Sequence, residues 1–223
     1  MRIDGFAIAI RFNKSFSIAD NFGAILDRLL YESDESFNNK IYQEFDSYLD
    51  ARVLKDKEGK NKLTINSENF ILDLSEIENF EKVFYQYVSA FQTTIAEKLF
   101  NQYDIHKINR FGCVFKVQLD ESDIIIKTVE EILVANSSNP ESLSLRYNCS
   151  HKKPKVIKGT ITEDYENEIV TYVRDKRDSP MFLLKDYQYY FKPPLMKIQD
   201  SKTSFQTFCL TRYEKFQKEY LKK

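Results

Sequence analysis

The chain has 223 residues, 42% apolar and 30% charged, a length that accommodates one large domain or two small fused ones. Its 33 Lys and Arg nearly cancel 34 Asp and Glu, so a net charge of −1 supplies no global attraction to nucleic acid or to anionic membrane. Five Gly and five Pro beside 18 Phe and 14 Tyr exclude the disordered, collagenous and low-complexity classes.

Ile3 to Phe12 alternates, with Phe6, Ile8, Ile10 and Phe12 on one face and Gly5, Ala7 and Ala9 on the other, which predicts a strand. Ser17 with Asp20 resembles a capping box, and Ile18, Phe22, Ile25, Leu26 and Leu29 continue at helical spacing. Ile41, Phe45, Tyr48 and Leu49 suggest a second helix. Val53-Leu54 and Leu63-Ile65 flank the turn Asp56 to Lys60 as a hairpin, and Asn69 to Leu74 is a third strand. Ser75 with Glu78 reads as another capping box opening a long helix to about Tyr103, whose stripe of Ile77, Phe80, Phe84, Tyr87, Phe91, Ile95 and Leu99 is core.

The second half repeats that order. Phe111, Cys113, Phe115, Val117 and Leu119 mark a strand, a helix runs from about Ser122 to Asn136, and Leu143 to Cys149 alternates again. Val156 to Thr162, Ile169 to Arg174 and Met181 to Phe191 read as three more strands, and a closing helix runs from about Ser201 to Leu221. The expectation is an α+β protein of two pseudo-repeated ferredoxin-like units, residues 1–107 and 108–223, with antiparallel sheets, helices packed on one face of each, and the units packed tightly.

Much chemistry is missing. The glycines stand at 5, 23, 59, 112 and 159, too far apart for GxGxxG, a P-loop or a GxSxG elbow. Two histidines, His106 and His151, rule out HExxH and multi-His metal sites. Cys113, Cys149 and Cys209 form no CxxC and fit a reducing cytoplasm. The apolar stretch between Asp4 and Arg11 is too short for a signal-peptide core, and no stretch approaches 18 apolar residues, so no membrane contact is expected. Carboxylates cluster at Asp34-Glu35, Asp120-Glu121-Asp123 and Glu163-Asp164-Glu166, where a hard cation would need converging oxygens, though the second cluster caps a helix. No metal, cofactor or catalytic residue is assigned.

Two features point to binding. Arg146, His151, Lys152, Lys153, Lys155 and Lys158 lie in a run without a carboxylate, and Arg174, Lys176 and Arg177 form a second basic knot. With Tyr147, Tyr165 and Tyr172 nearby, they make a candidate nucleic-acid surface, opposed by Glu163, Asp164, Glu166 and Glu168. In the aromatic run Tyr187 to Phe191, alternation puts Tyr190 on the face away from Tyr187, Tyr189 and Phe191, a candidate partner surface.

The run from Asn61 to Leu119, with Glu68-Asn69-Phe70-Ile71 and Ile108-Asn109-Arg110-Phe111-Gly112, resembles a sporadically distributed bacterial family of uncharacterised proteins, as does Phe182 to Tyr189. Where that family usually has Tyr and Asn in the central strand, this chain has Val114 and Phe115. The resemblance implies a fold and no activity. The first functional expectation is a non-catalytic, cytoplasmic module binding a protein partner or itself through sheet edges or Tyr190. The alternative is an RNA or single-stranded DNA binder similar in layout to tandem ferredoxin-like CRISPR proteins, and the third is a metal-dependent hydrolase.

Overall fold

Alternation in the two most regular strands decides which side of the sheet is core. In β1 (Arg2–Phe12) Phe6, Ile8, Ile10 and Phe12 are at most 1% exposed, and in β6 (Ile108–Gln118) Phe111, Cys113, Phe115 and Val117 are buried beside them. Successive strand side chains point to opposite faces, so both strands offer one apolar face to the helices. The computed structural model describes residues 2–32, 36–38, 40–120, 124–134, 142–157, 160–176 and 179–221, without the side chains at 124, 125, 130, 133, 134, 155–157 and 160–162.

The remaining strands are β2 (Glu44–Ser47), β3 (Ala51–Lys55), β4 (Asn61–Asn66), β5 (Asn69–Ser75), β7 (Leu143–Ile157), β8 (Thr160–Arg174) and β9 (Phe182–Leu195). All nine form one antiparallel sheet in the order β2-β3-β4-β5-β1-β6-β9-β8-β7. The expectation of separate sheets is corrected here: β1 and β6 pair from Arg2↔Gln118 to Phe12↔Ile108, so hydrogen bonds run along the whole seam between the halves. Each half puts its first strand at the centre and counts back to it from the outer edge. In both, a helical segment follows the first strand and leads to an uninterrupted meander, unlike the β-α-β-β-α-β order of a ferredoxin-like unit.

Glycine is obligatory at one point of the central seam. A Cβ on Gly5, where β1 bulges against β6, would lie 2.1 Å from the Leu74 carbonyl oxygen.

The first helix is α1 (Phe16–Asp20) and α2 (Phe22–Asp27), with a wider turn over Arg28–Glu32; Ser15 rather than Ser17 caps it, accepting from the Ile18 N–H. The long helix starts later than expected, at α3 (Phe80–Ala90), and continues through a π-type stretch Phe91–Leu99 into α4 (Phe100–Gln102). Ser75 is the last residue of β5 rather than its cap. The expected second helix is absent among the described residues: Glu44–Ser47 is strand β2, paired to β3. The later helices are α5 (Ile124–Val134) and α6 (Phe205–Phe216), the latter capped by Ser204.

Helices and sheet share one aromatic core. Phe84 meets Phe6 edge-on at 4.9 Å and Tyr213 at 5.0 Å, while Phe115 stacks on Phe216 at 4.7 Å. Beside it, α6 is held by charge. Arg212, Lys215 and Glu219 recur at i, i+3 and i+7, one helix face, and meet Glu166, Glu168 and Lys185 on the covered side of β8 and β9.

Candidate nucleic-acid interface

With one face packed, the other is left to the side chains that alternate out of the core. Register lines five of them up across the strands: Arg11 of β1 opposite Arg110 of β6, then Tyr190 of β9, Tyr165 of β8 and Lys152 of β7. At about 4.8 Å between strands the row is roughly 19 Å long.

Its middle is aromatic. The Tyr165 and Tyr190 rings stack with centroids 4.4 Å apart and planes 7° from parallel. The Arg110 guanidinium lies 5.6 Å over the Tyr190 ring and its Nη1 donates to Tyr190 Oη at 3.3 Å. Lys192 Nζ stands 4.6 Å from the Tyr165 ring centroid. Tyr190 Oη donates to Gln188 Oε1 at 2.6 Å, and Gln188 Nε2 donates to Asp186 Oδ2 at 2.6 Å, which fixes the ring and the amide together. Burial, then the neighbouring Tyr190, pushes the Tyr165 phenol above its ordinary value, so it stays neutral. Burial also raises the Asp186 carboxyl, against the Gln188 hydrogen bond and the cations Arg110 and Arg146.

One side of Tyr165 opens into a depression of about 640 Å³ lined by Ser150, His151, Lys152, Glu163, Lys192 and Pro193. Next to the row runs a second one, Ala9, Gly112, Gln188, Asn167 and Ser150. A Cβ on Gly112 would lie 3.8 Å from that of Ala9, an ordinary contact, so packing does not demand glycine there. Glycine inside a strand costs stability, and here it leaves a low floor beside the tyrosines. Arg11 pairs with Glu68 at 3.4 Å and Lys152 with Glu163 at 3.1 Å. Exposed pairs of this kind contribute at most about 1 kcal/mol, so a phosphate can replace the carboxylate at little cost.

The structure divides the residues expected from sequence. The sequence leaves most of the basic run between strands expected at Leu143 to Cys149 and Val156 to Thr162, but β7 continues through it to Ile157 as an edge strand, where Pro154 needs no ladder partner for its missing N–H. Strand alternation then puts Arg146 and Lys152 on the open face and His151 and Lys153 on the other, with Lys153 3.6 Å from Glu166. Lys155 lies in β7, its side chain outside the described set; Lys158 and Arg177 lie outside the described residues. Arg174 ends β8 opposite Leu143, and Lys176 is exposed in the following turn. Nine residues of strand, about 30 Å, separate them from Tyr165, so the two basic knots do not converge. Tyr147 and Tyr172 take the covered side, and Tyr190 is half-buried within the row. Arg11, Arg110 and Lys192 were missed as site residues, although alternation in β1 and β6 already set the two arginines out of phase with the core.

The carboxylates do not form a cation site. Glu163 faces the opposite side from Asp164 and Glu166 and meets Lys152, while Glu166 meets Arg212. Asp164, 3% exposed, accepts from Tyr189 Oη at 2.9 Å and from the Lys192 N–H at 2.7 Å. Asp34, Glu35, Glu121 and Asp123 lie outside the described residues. Among the described residues no group of three His, Cys, Asp or Glu could hold a metal ion, and no helix is long and apolar enough to cross a membrane.

No family model matches the chain, and no curated protein does. The solved structure of a rolling circle replication initiator protein from Geobacillus stearothermophilus is similar over 86% of this chain and 74% of that one, at 10% identity and a TM-score of 0.27. A likeness that small carries nothing across.

Proposed function

We propose that the protein binds single-stranded nucleic acid across the open face of its sheet. The observation that carries this reading is the transverse row itself, two stacked tyrosines with cations on both sides. A base stacks on the side of Tyr165 away from Tyr190, displacing the Lys192 ammonium from over that ring, and phosphates meet Lys152 and Lys192 there and Arg110 and Arg11 further along. Base–aromatic stacking contributes about 1–3 kcal/mol per base, so Tyr165→Ala weakens binding of a fluorescent single strand roughly 5- to 150-fold by anisotropy. Arg110→Gln weakens all sequences alike and lowers the salt slope by about 1. An unchanged Kd in Tyr165→Ala would overturn the reading.

A second reading, association with a protein partner or another copy, is favoured by a different place. Phe45 of the edge strand β2 is 50% exposed, and Tyr48 and Leu49 in the turn after it are more so. Large apolar side chains grouped on a sheet edge invite pairing. Tyr190 supports this reading less, because its ring is already engaged by Tyr165 and Arg110.

A further inference from the structure

β8 pairs with β9 from Tyr165 to Val173, but with β7 from Thr160 to Arg174. Past Tyr165, among the described residues, the backbone ladder joins these two strands only to each other, in an arm rooted at Lys152 that runs over Lys153–Ile157 and the stretch from Thr160 to Asp164. Five residues at about 3.3 Å each carry it roughly 16 Å beyond the row. A lone two-stranded ribbon is marginally stable, and this one is tied down at its root. There Asp164 takes the Tyr189 hydroxyl and the Lys192 N–H, and Lys153 reaches Glu166. Lys152, Lys153 and Lys155 lie on the β7 side of the arm, and the sequence from Lys152 to Thr162 has no carboxylate.

A basic two-stranded ribbon has the dimensions of a groove reader. The major groove of B-DNA, about 12 Å wide and 8.5 Å deep, admits a two-stranded ribbon. We infer that the β7–β8 arm grips duplex flanking the strand held on the open face, so that the ligand is a junction between single-stranded and double-stranded nucleic acid. This rests on the open-face reading above: Lys152 belongs to both elements, ending the tyrosine row and starting the arm.

The test is fluorescence anisotropy with three DNA probes: a single strand of about 12 nucleotides, a duplex of the same length, and that single strand joined to that duplex. The wild-type protein binds the junction at least ~10-fold tighter than the single strand, from the added phosphate contacts. Lys153→Gln with Lys155→Gln brings junction affinity down to the single-strand level, lowers the salt slope on the junction by about 2, and leaves single-strand affinity unchanged. A junction bound no tighter than the single strand, or a double variant with full junction affinity, overturns the arm's role while the open-face reading stands. Duplex binding without single-strand binding overturns the open-face reading, and the junction with it. A double variant that changes only the mass measured by light scattering makes the arm a contact between copies, which also overturns the inference.

Discussion

Lys185 offers the sharpest test of how α6 is held on the sheet. Its side chain is 7% exposed, with Nζ 3.2 Å from Glu168 Oε2 and 3.5 Å from Glu219 Oε2, and Lys215 meets the other oxygen of Glu168. At an effective dielectric constant near 20 the closer contact is worth about 5 kcal/mol, offset by several kcal/mol per ion of lost hydration. Lys185→Met therefore leaves Glu168, 11% exposed, with half its compensation. Breaking a buried pair costs about 3–5 kcal/mol, and the remaining Lys215 puts this variant at the low end. At about 2–4 °C per kcal/mol for a chain of this size, Tm falls by roughly 6–12 °C. Adding Glu168→Leu removes the stranded charge and restores most of the loss, since Lys215 keeps Glu219 at i, i+4. Burial alone would raise the Glu168 carboxyl, but hydrogen bonds from Lys215 and Lys185 outweigh it and hold it below 4.5. Its stabilisation is thus complete above pH 4.5 and lost as pH falls through the lowered folded value, a loss the double variant does not show. Thermal and urea melts followed by circular dichroism decide it. A Lys185→Met protein as stable as wild type, or a double variant losing the sum of the two single losses, would refute the reasoning.

Asp186 has the opposite sign. Its carboxyl is raised by burial, so just above the ordinary 3.8 the folded state holds more protons than the unfolded one, and stability falls as pH rises through that window. Asp186→Asn raises Tm at pH 7, flattens that slope in a pH series of melts, and tightens single-strand binding by removing a negative charge beside Gln188, which holds the Tyr190 hydroxyl. If the β2 edge joins two copies, Phe45→Lys with Leu49→Lys lowers the molar mass measured by light scattering; a wild-type monomer at high concentration would retire that reading.

What the sequence discloses here is which face a side chain takes, and what it hides is who stands next to it. Alternation in β1 and β6 was enough to separate Phe6 and Phe115 from Ala7 and Arg110. Arg11, Arg110, Tyr190, Tyr165 and Lys152 come together only through the register of five strands, and register depends on packing and turns far from the residues it aligns. Ile41, Phe45, Tyr48 and Leu49 have helical spacing, yet the segment holding Phe45 pairs with β3, because a free sheet edge next to it outweighs a short and poorly capped helical pattern. The run His151 to Lys155 looks like a loop by its charge and its proline, and it is a strand because it lies on an edge. The charged contacts under α6 were illegible for the same reason as the row: Glu166 and Glu168 keep strand period, while Arg212, Lys215 and Glu219 keep helix period, and nothing local matches the two.

The seam between β1 and β6 also sets an order of events during synthesis. β1 receives β5 on one side as soon as Ser75 has emerged, but its other side waits for Gln118. At 5–20 residues per second those roughly forty residues take about 2–8 s, during which β1 offers a row of open N–H and C=O groups and an incompletely covered apolar face. A strand in that state is a template for any neighbouring chain. In a polysome the nearest such chain is another copy of the same N-terminal half.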